Sequence, residues 1–395
     1  MKKRISLPMM VLIAFCVAAV TFESTYIFCV TKAKLGEDEF KNEKLAYVDK
    51  LYRERFIDDI DEDKLTDYLI RGYLVGAGER FGGYYTADEY AVYLSDVSGS
   101  SVGIGVTVSY DEQTGLALVS EVTEGAPAQR AGITPGDLIS KVNGESCKEL
   151  GYYDAVTAIK GEEGTDVSVT VLRDGKEITF DITREQIKEQ CVYYHKYADT
   201  DIGVIRITRF ATVASEQFAD ALNILKSNGA RKLVFDLRDN PGGDLDSVTS
   251  ILDLLLPEGK LVITTDKNGN ETVVSKSDAQ ETDMPMAVIV NGNSASASEL
   301  FAANIRDYDK GKIIGETTYG KGTMQSSVPL PDGSCIMISN YKFASASGIN
   351  YDGVGITPDI EVKPNDLLTQ NGVTGIDEKD DNQLTAAVEY LTKLN

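Results

Sequence analysis

Histidine is almost missing from this chain: His195 carries the only imidazole among 395 residues. Zinc helices of the HExxH kind, and any site built from several imidazole ligands, are excluded by that count. A serine hydrolase relying on histidine would have to use His195, which lies in a polar segment with no strand-end context. Basic residues are also scarce, 39 Lys and Arg against 62 Asp and Glu, for a formal net charge of -23. Such a surface repels phosphate backbones, so nucleic acid is excluded as a partner. The glycine-rich stretches lack the GxxxxGK[ST] pattern, which leaves phosphate chemistry without support. Cysteines are few and odd in number, at 16, 29, 147, 191 and 335. They form no disulfide framework, although a Cys147–Cys191 pair stays open.

What is present begins with an apolar N-terminus. Lys2, Lys3 and Arg4 precede a run from Ile5 to Phe22, followed by Glu23-Ser24-Thr25 and a second short run from Tyr26 to Val30. The run approaches the roughly 20 residues that cross a bilayer. The basic flank favours a cytoplasmic N-terminus and an exported body. There is no Ala-x-Ala exit, and Ile13-Ala14-Phe15 before Cys16 make a poor lipid-attachment site. The expectation is a signal anchor over residues 1–34, and hence a single-pass cell-membrane protein with its body extracytoplasmic. Secretion after signal cleavage is the alternative.

The rest of the chain, in a protein with 42% apolar residues, is long enough for two or three folded units. In residues 35–91, Leu45, Val48, Leu51, Tyr52 and Phe56, then Leu65, Tyr68, Leu69 and Leu74, recur at helical spacing. Gly76 to Gly83 ends these helices, and Thr86 with Glu89 has the spacing of a capping box. From Gly103 the texture changes to short β-branched strands separated by turn-rich loops, one small β-rich domain over residues 92–183. From Ile202 strands alternate with helices: IGVIRI, KLVFDL, MAVIV and KIIGE are each followed by a turn or a helical stretch. That alternation predicts an α/β layered domain over 184–365, with a helical tail at 366–395. Active loops in such sheets lie beyond the carboxyl ends of strands, where both RDNPGGD and NGNSASASEL fall.

The serines of NGNSASASEL can be read in two ways. Ser296 and Glu299 fit the capping pattern S-x-x-E, in which the serine does no more than start a helix. A serine on a sharp strand-to-helix turn can equally be a nucleophile, since a helix N-terminus offers backbone donors and a favourable dipole to an oxyanion. Such a serine needs a base, and a lysine whose pKa is lowered by burial can serve. Lys321, between two glycines in TTYGKGTMQ, is the candidate, against a plain reading as an exposed turn lysine.

Two resemblances join these motifs. GAPAQRAGITPGDLISKVNG resembles the core of a PDZ domain of the kind fused to bacterial proteases, with Gly103, Ile104, Gly105 and Val106 where that family binds a terminal carboxylate. Glycines there let consecutive N–H groups turn towards an anion while an exposed strand edge pairs with the peptide. FDLRDNPGGD, VNGNSASASEL, IGETTYGKGTMQ and GVGITPDIEV, in that order over roughly residues 40 to 365, resemble the C-terminal processing peptidases. The resemblance implies a crotonase-like α/β core with an inserted PDZ domain and a helical arm. It makes Ser296 the nucleophile, Lys321 the base and Gln325 the residue that orients the lysine. The 25-residue interval from Ser296 to Lys321 agrees with that family's dyad spacing. It puts the oxyanion donors at the N–H groups of Gly242 and Ala297, and it implies no metal or organic cofactor. The expected partners are proteins or peptides with accessible C-termini, and homo-oligomerisation is left open.

Two departures stand out: GERFGGYY where relatives often read like DPYS-x-Y, and Asn293 where they often carry glycine. The rival readings are a catalytically silent PDZ scaffold that binds protein tails, and a non-peptidase acyl hydrolase.

Overall fold

The computed structural model describes residues 43–394. The chain forms two compact units, one ending at Leu69 and the other running from Ile70 onward. The first contains helix Glu43–Arg55 and the beginning of helix Glu62–Gly76.

The membrane localisation expected from the N-terminal run is corrected here. Among the described residues no helix is long and apolar enough to cross a membrane. The longest, Glu62–Gly76, has 15 residues, which rise about 22 Å against the roughly 30 Å of a hydrocarbon core. The apolar run itself, with Cys16 and Cys29, lies outside the described residues.

In the second unit the expected α/β architecture forms around a six-stranded sheet. Strands Ile202–Ile207, Lys232–Asp236, Met286–Val290, Gly311–Gly315 and Ile360–Glu361 are mutually parallel, and Val192–Lys196 adds an antiparallel edge. The reason MAVIV carries no polar residue is that both faces of the sheet are covered, and all of Met286 to Val290 is buried. Alternation of side chains divides the core in two. Ile205, Ile207, Phe235, Val288 and Ile313 pack with helices Ala214–Ser227, Leu245–Asp253 and Ala297–Asp307. Val204, Val234, Ala287, Ile289 and Ile314 pack with Leu384, Ala387 and Leu391 of helix Asn382–Thr392. Each buried Val, Ile or Leu contributes about 1.5–3 kcal/mol.

A second sheet, antiparallel, joins Gly83–Tyr85, Cys335–Ala344, Gly259–Thr265 and Glu271–Ser277, with Thr323–Pro329 paired to Cys335–Ala344. A third contains Val106–Asp111, Leu116–Val122, Leu138–Val142, Asp166–Arg173 and Lys176–Thr183, over a core of its own that includes Ile104, Val119, Ile139 and Val169. Helices Pro127–Ala131 and Tyr152–Ile159 flank it. Strand Ser100–Gly103 enters this sheet region and pairs antiparallel with Glu185–Lys188 on the way out. The Thr86–Glu89 capping box forms as expected. Cys147 and Cys191 are both free and buried, in separate cores. Burial raises both thiols, Cys191 to about 12.

Candidate active site

Three loops converge at the carboxyl ends of neighbouring parallel strands. One follows Lys232–Asp236, one follows Met286–Val290 and one follows Gly311–Gly315. They line a cavity of about 440 Å³ that contains Ser296, Lys321, Gln325, Gly242 and Ala297 together. Val97, Leu245, Leu300, Met324, Met337 and Phe343 give it an apolar wall, and Arg209, Asp96 and Asp244 supply charge.

Burial separates the serines. Ser294 is fully buried, its Oγ donating to Leu237 O at 2.8 Å and accepting from Asn291 N at 2.9 Å. Ser298 is fully buried too and donates to Asn240 O at 3.0 Å. Both pin the turn to its neighbour. Ser296, at the N-cap of helix Ala297–Asp307, opens on the cavity with φ +54° and ψ −113°. A positive φ on a serine costs on the order of 1–3 kcal/mol and persists only when the surroundings enforce it. The small neighbours Ala295 and Ala297 keep the approach narrow but unobstructed.

The enforcing group is Glu299, a role not visible in the sequence beyond the capping spacing. Its carboxylate is fully buried and accepts four hydrogen bonds: from Ser296 N at 2.8 Å, Lys321 N at 2.8 Å, Gly320 N at 2.7 Å and Thr318 Oγ1 at 2.5 Å. One side chain thus holds the backbones of Ser296 and Lys321 in a fixed relation. Of the capping box predicted from S-x-x-E, the half from Ser296 N to Glu299 is formed, and the same carboxylate reaches the loop of the lysine.

On the facing turn, Gly242 approaches so closely that a Cβ would lie 2.7 Å from Ala295 O and 2.8 Å from Ser296 Cβ, with φ +102°. Only glycine allows that contact. Its N–H donates to Asn240 Oδ1 at 2.9 Å, so the amide expected to hold an oxyanion is engaged in this state. The N–H groups of Gly243 and Ala297 have no acceptor among the described residues. Asn240, fully buried, ties the turn down further by donating to Ile207 O at 2.9 Å and accepting from Ala295 N at 3.1 Å. Asn293 donates to Asp239 Oδ1 at 2.9 Å, beside Asn291 at 2.9 Å, which gives the departure from glycine a cross-loop bond.

Lys321 is partly buried, and burial lowers its ammonium below the usual lysine value. Its Nζ lies 5.0 Å from the ring centroid of Phe81. No hydrogen bond joins it to Ser296 Oγ or to Gln325 among the described residues. Gln325 Nε2 donates instead to Ser339 Oγ at 3.1 Å.

The predicted carboxylate loop lies elsewhere, at the edge strand Val106–Asp111 of the third sheet. Ile104 is buried in the core there. Ile104 O accepts from Ala128 N at 2.8 Å and Gly105 O from Thr123 N at 2.9 Å. The loop's carbonyls are thereby used internally.

A family model described as peptidase family S41 matches residues 201–362, and one described as a PDZ domain matches residues 118–173. The carboxy-terminal processing protease CtpA of Bacillus subtilis (strain 168) is 31% identical over 412 residues, covering 100% of this chain and 87% of that protein. A probable CtpA-like serine protease of Staphylococcus aureus (strain COL) is 33% identical over 351 residues, 88% of this chain and 70% of that protein. Among solved structures, the photosystem II D1 C-terminal processing protease matches with a TM-score of 0.48 at 25% identity, covering 81% of this chain and 87% of that one. With these relatives matched along most of their length, the chain belongs to peptidase family S41, serine proteases of the C-terminal processing kind, and carries a PDZ domain.

Proposed function

We propose that the protein is an endopeptidase working by acyl transfer, with Ser296 as nucleophile and Lys321 as its base. Residues 184–365 form the peptidase core, 92–183 the inserted tail-binding domain, 35–91 the helical arm and 366–395 the helical tail. The observation that carries the dyad is the division of labour among the serines: Ser294 and Ser298 are buried and bonded, while Ser296 faces a cavity that Lys321 and Gln325 also line.

In the reaction, neutral Lys321 Nζ takes the proton of Ser296 Oγ as the oxygen attacks the peptide carbonyl. Charge then develops on the carbonyl oxygen, where the N–H of Ala297 and an N–H of the Gly242–Gly243 turn receive it. One such donor is worth on the order of 100- to 1,000-fold in rate. The lysine returns the proton to the leaving amine, and water resolves the acyl-enzyme by the reverse route. In unliganded sites catalytic hydrogen bonds are often long and tighten with substrate, so the unbonded Ser296 and Lys321 fit a resting state. Gln325, on strand Thr323–Pro329 just beyond the lysine loop, orients Nζ once the substrate is seated. Gly103 to Val106 take the terminal carboxylate of a protein tail, and the apolar cavity wall beside Ser296 takes an uncharged side chain of the substrate.

The experiment is labelling by a fluorophosphonate, which phosphonylates an activated serine at Oγ with loss of fluoride. Ser296→Ala abolishes it, Ser298→Ala retains most of it, and Lys321→Arg abolishes it at every pH because guanidinium stays protonated. Labelling that survives in Ser296→Ala and is lost in Ser298→Ala would move the nucleophile, and an active arginine variant would remove the lysine from the chemistry.

A further inference from the structure

The segment GERFGGYY touches the site at two points. Glu79 accepts from Phe81 N at 3.0 Å and Gly82 N at 2.9 Å, closing a tight loop on itself. The same carboxylate accepts from Ser339 N at 2.9 Å and Ser339 Oγ at 2.7 Å. Ser339 Oγ in turn accepts from Gln325 Nε2 at 3.1 Å. Gly82 seats the loop on strand Cys335–Ala344 so closely that a Cβ there would stand 2.0 Å from Met337 O. The result is a fixed platform that presents the Phe81 ring to Lys321 Nζ, 5.0 Å from its centroid.

We propose that the loop Glu79–Gly82 is a positioning element of the dyad: Phe81 keeps water from Lys321 Nζ and so favours the neutral amine, while Glu79 holds that ring and, through Ser339, the side chain of Gln325. The inference rests on Lys321 being the base.

Two effects of the ring oppose each other. A ring face stabilises an ammonium weakly. Removing water from an ammonium costs more than that unless other polar groups replace it. Among the described residues no hydrogen bond or ion pair to Nζ replaces it, and its contact is the Phe81 ring. Glu299 meets the lysine only at its backbone N, Asp352 takes the N–H of Gly322, and Glu79 is saturated by its four donors. Arg80, stacked on the same Phe81 ring at 4.8 Å, and Arg209 across the cavity are cations, which disfavour a second positive charge. Asp244, also across the cavity, caps helix Leu245–Asp253. Asp96, the other anion of the cavity, is paired with Arg209, and among the described residues none of these groups forms an ion pair or hydrogen bond with Nζ. Desolvation therefore outweighs the ring's attraction, in agreement with the lowering that burial imposes on Lys321.

The test is the rate of fluorophosphonate labelling of the full chain across the alkaline pH range. Phe81→Ala admits water, so the midpoint of the rising limb moves up by about one pH unit, which is about tenfold slower labelling at any pH below both midpoints. Phe81→Leu keeps the cover and removes the ring face, so its midpoint stays level with the wild type or falls. Glu79→Gln, with one acceptor oxygen in place of two, moves the midpoint up by less than Phe81→Ala. A midpoint that is unchanged or lower in Phe81→Ala overturns the proposal, since the ring would then be inert or would stabilise the ammonium. Lys321→Arg separates this from the parent reading. If it labels, the dyad itself fails. If it is silent while Phe81→Ala keeps the wild-type profile, only the role of the loop fails.

Discussion

Replacing Arg238 by methionine tests whether the turn that carries Gly242 is held from the far side of the sheet. Arg238 is 2% exposed, and its guanidinium meets Asp236 at 2.9 and 2.8 Å, Asp381 at 3.1 and 2.8 Å, and Gln383 Oε1 at 3.1 Å. Methionine fills much of the volume but leaves two carboxylates, 6% and 3% exposed, without their shared cation. Breaking a buried pair in this way costs about 3–5 kcal/mol. Two features favour the lower end: Arg206 lies 3.5 Å from Asp236, and Asp381 still caps helix Asn382–Thr392 through the N–H groups of Gln383 and Leu384. A loss of about 3 kcal/mol, set against an unfolding entropy of about 2.1 cal/mol/K per residue in the unit that runs from Ile70 onward, lowers Tm by about 4–5 °C. Because Arg238 directly precedes Asp239, Asn240 and Gly242, fluorophosphonate labelling should fall as well. Thermal melts at neutral pH provide the assay. A variant within about 1 kcal/mol of wild type would refute the idea that these charges are buried and interdependent.

Three other outcomes are expected. Lys321→Met abolishes labelling yet raises stability: the folded-state pKa lies below the unfolded 10.5, so the buried ammonium costs stability in full below the folded value, and the variant's advantage closes as pH rises to 10.5. Melts at neutral and alkaline pH check this, and an advantage that grows with pH would contradict it. Glu299→Gln offers one acceptor oxygen to a pocket of four donors, costing about 1–3 kcal/mol for each donor left without a partner and slowing labelling through both Ser296 and Lys321; urea denaturation with labelling rates measures both. Burial alone would raise the Glu79 carboxyl, but its hydrogen bonds from Ser339, Phe81 and Gly82 hold it at about 2 against 4.5 unfolded. Its contribution is present above pH 4.5 and is lost as pH falls towards 2, so wild type and Glu79→Gln should converge in urea midpoint over that window.

The sequence by itself determined what depends on near neighbours. Thr86 and Glu89 are three residues apart, so their capping box needs only one helical turn to form. MAVIV, an unbroken apolar run, reads as a strand, and the structure accounts for the missing polar residues by burying both of its faces. The single histidine excluded whole chemistries by counting, and the ordered motifs around Ser296 and Lys321 carried the family resemblance. Tertiary structure decided what depends on distant groups. Ser294, Ser296 and Ser298 are chemically alike in sequence; only Leu237 O and Asn240 O, brought in from another strand's end, make two of them structural and leave one at the cavity. Glu299 appears in sequence as a helix cap, and its hold on Lys321 exists only because strand Gly311–Gly315 lies beside Met286–Val290. Arg238 meets Asp381 across 143 positions, and Glu79 meets Ser339 across 260. Local periodicity contains no trace of such pairs, because a buried charge is compensated by whichever partner the packing of the whole chain delivers to it, at any separation along the backbone.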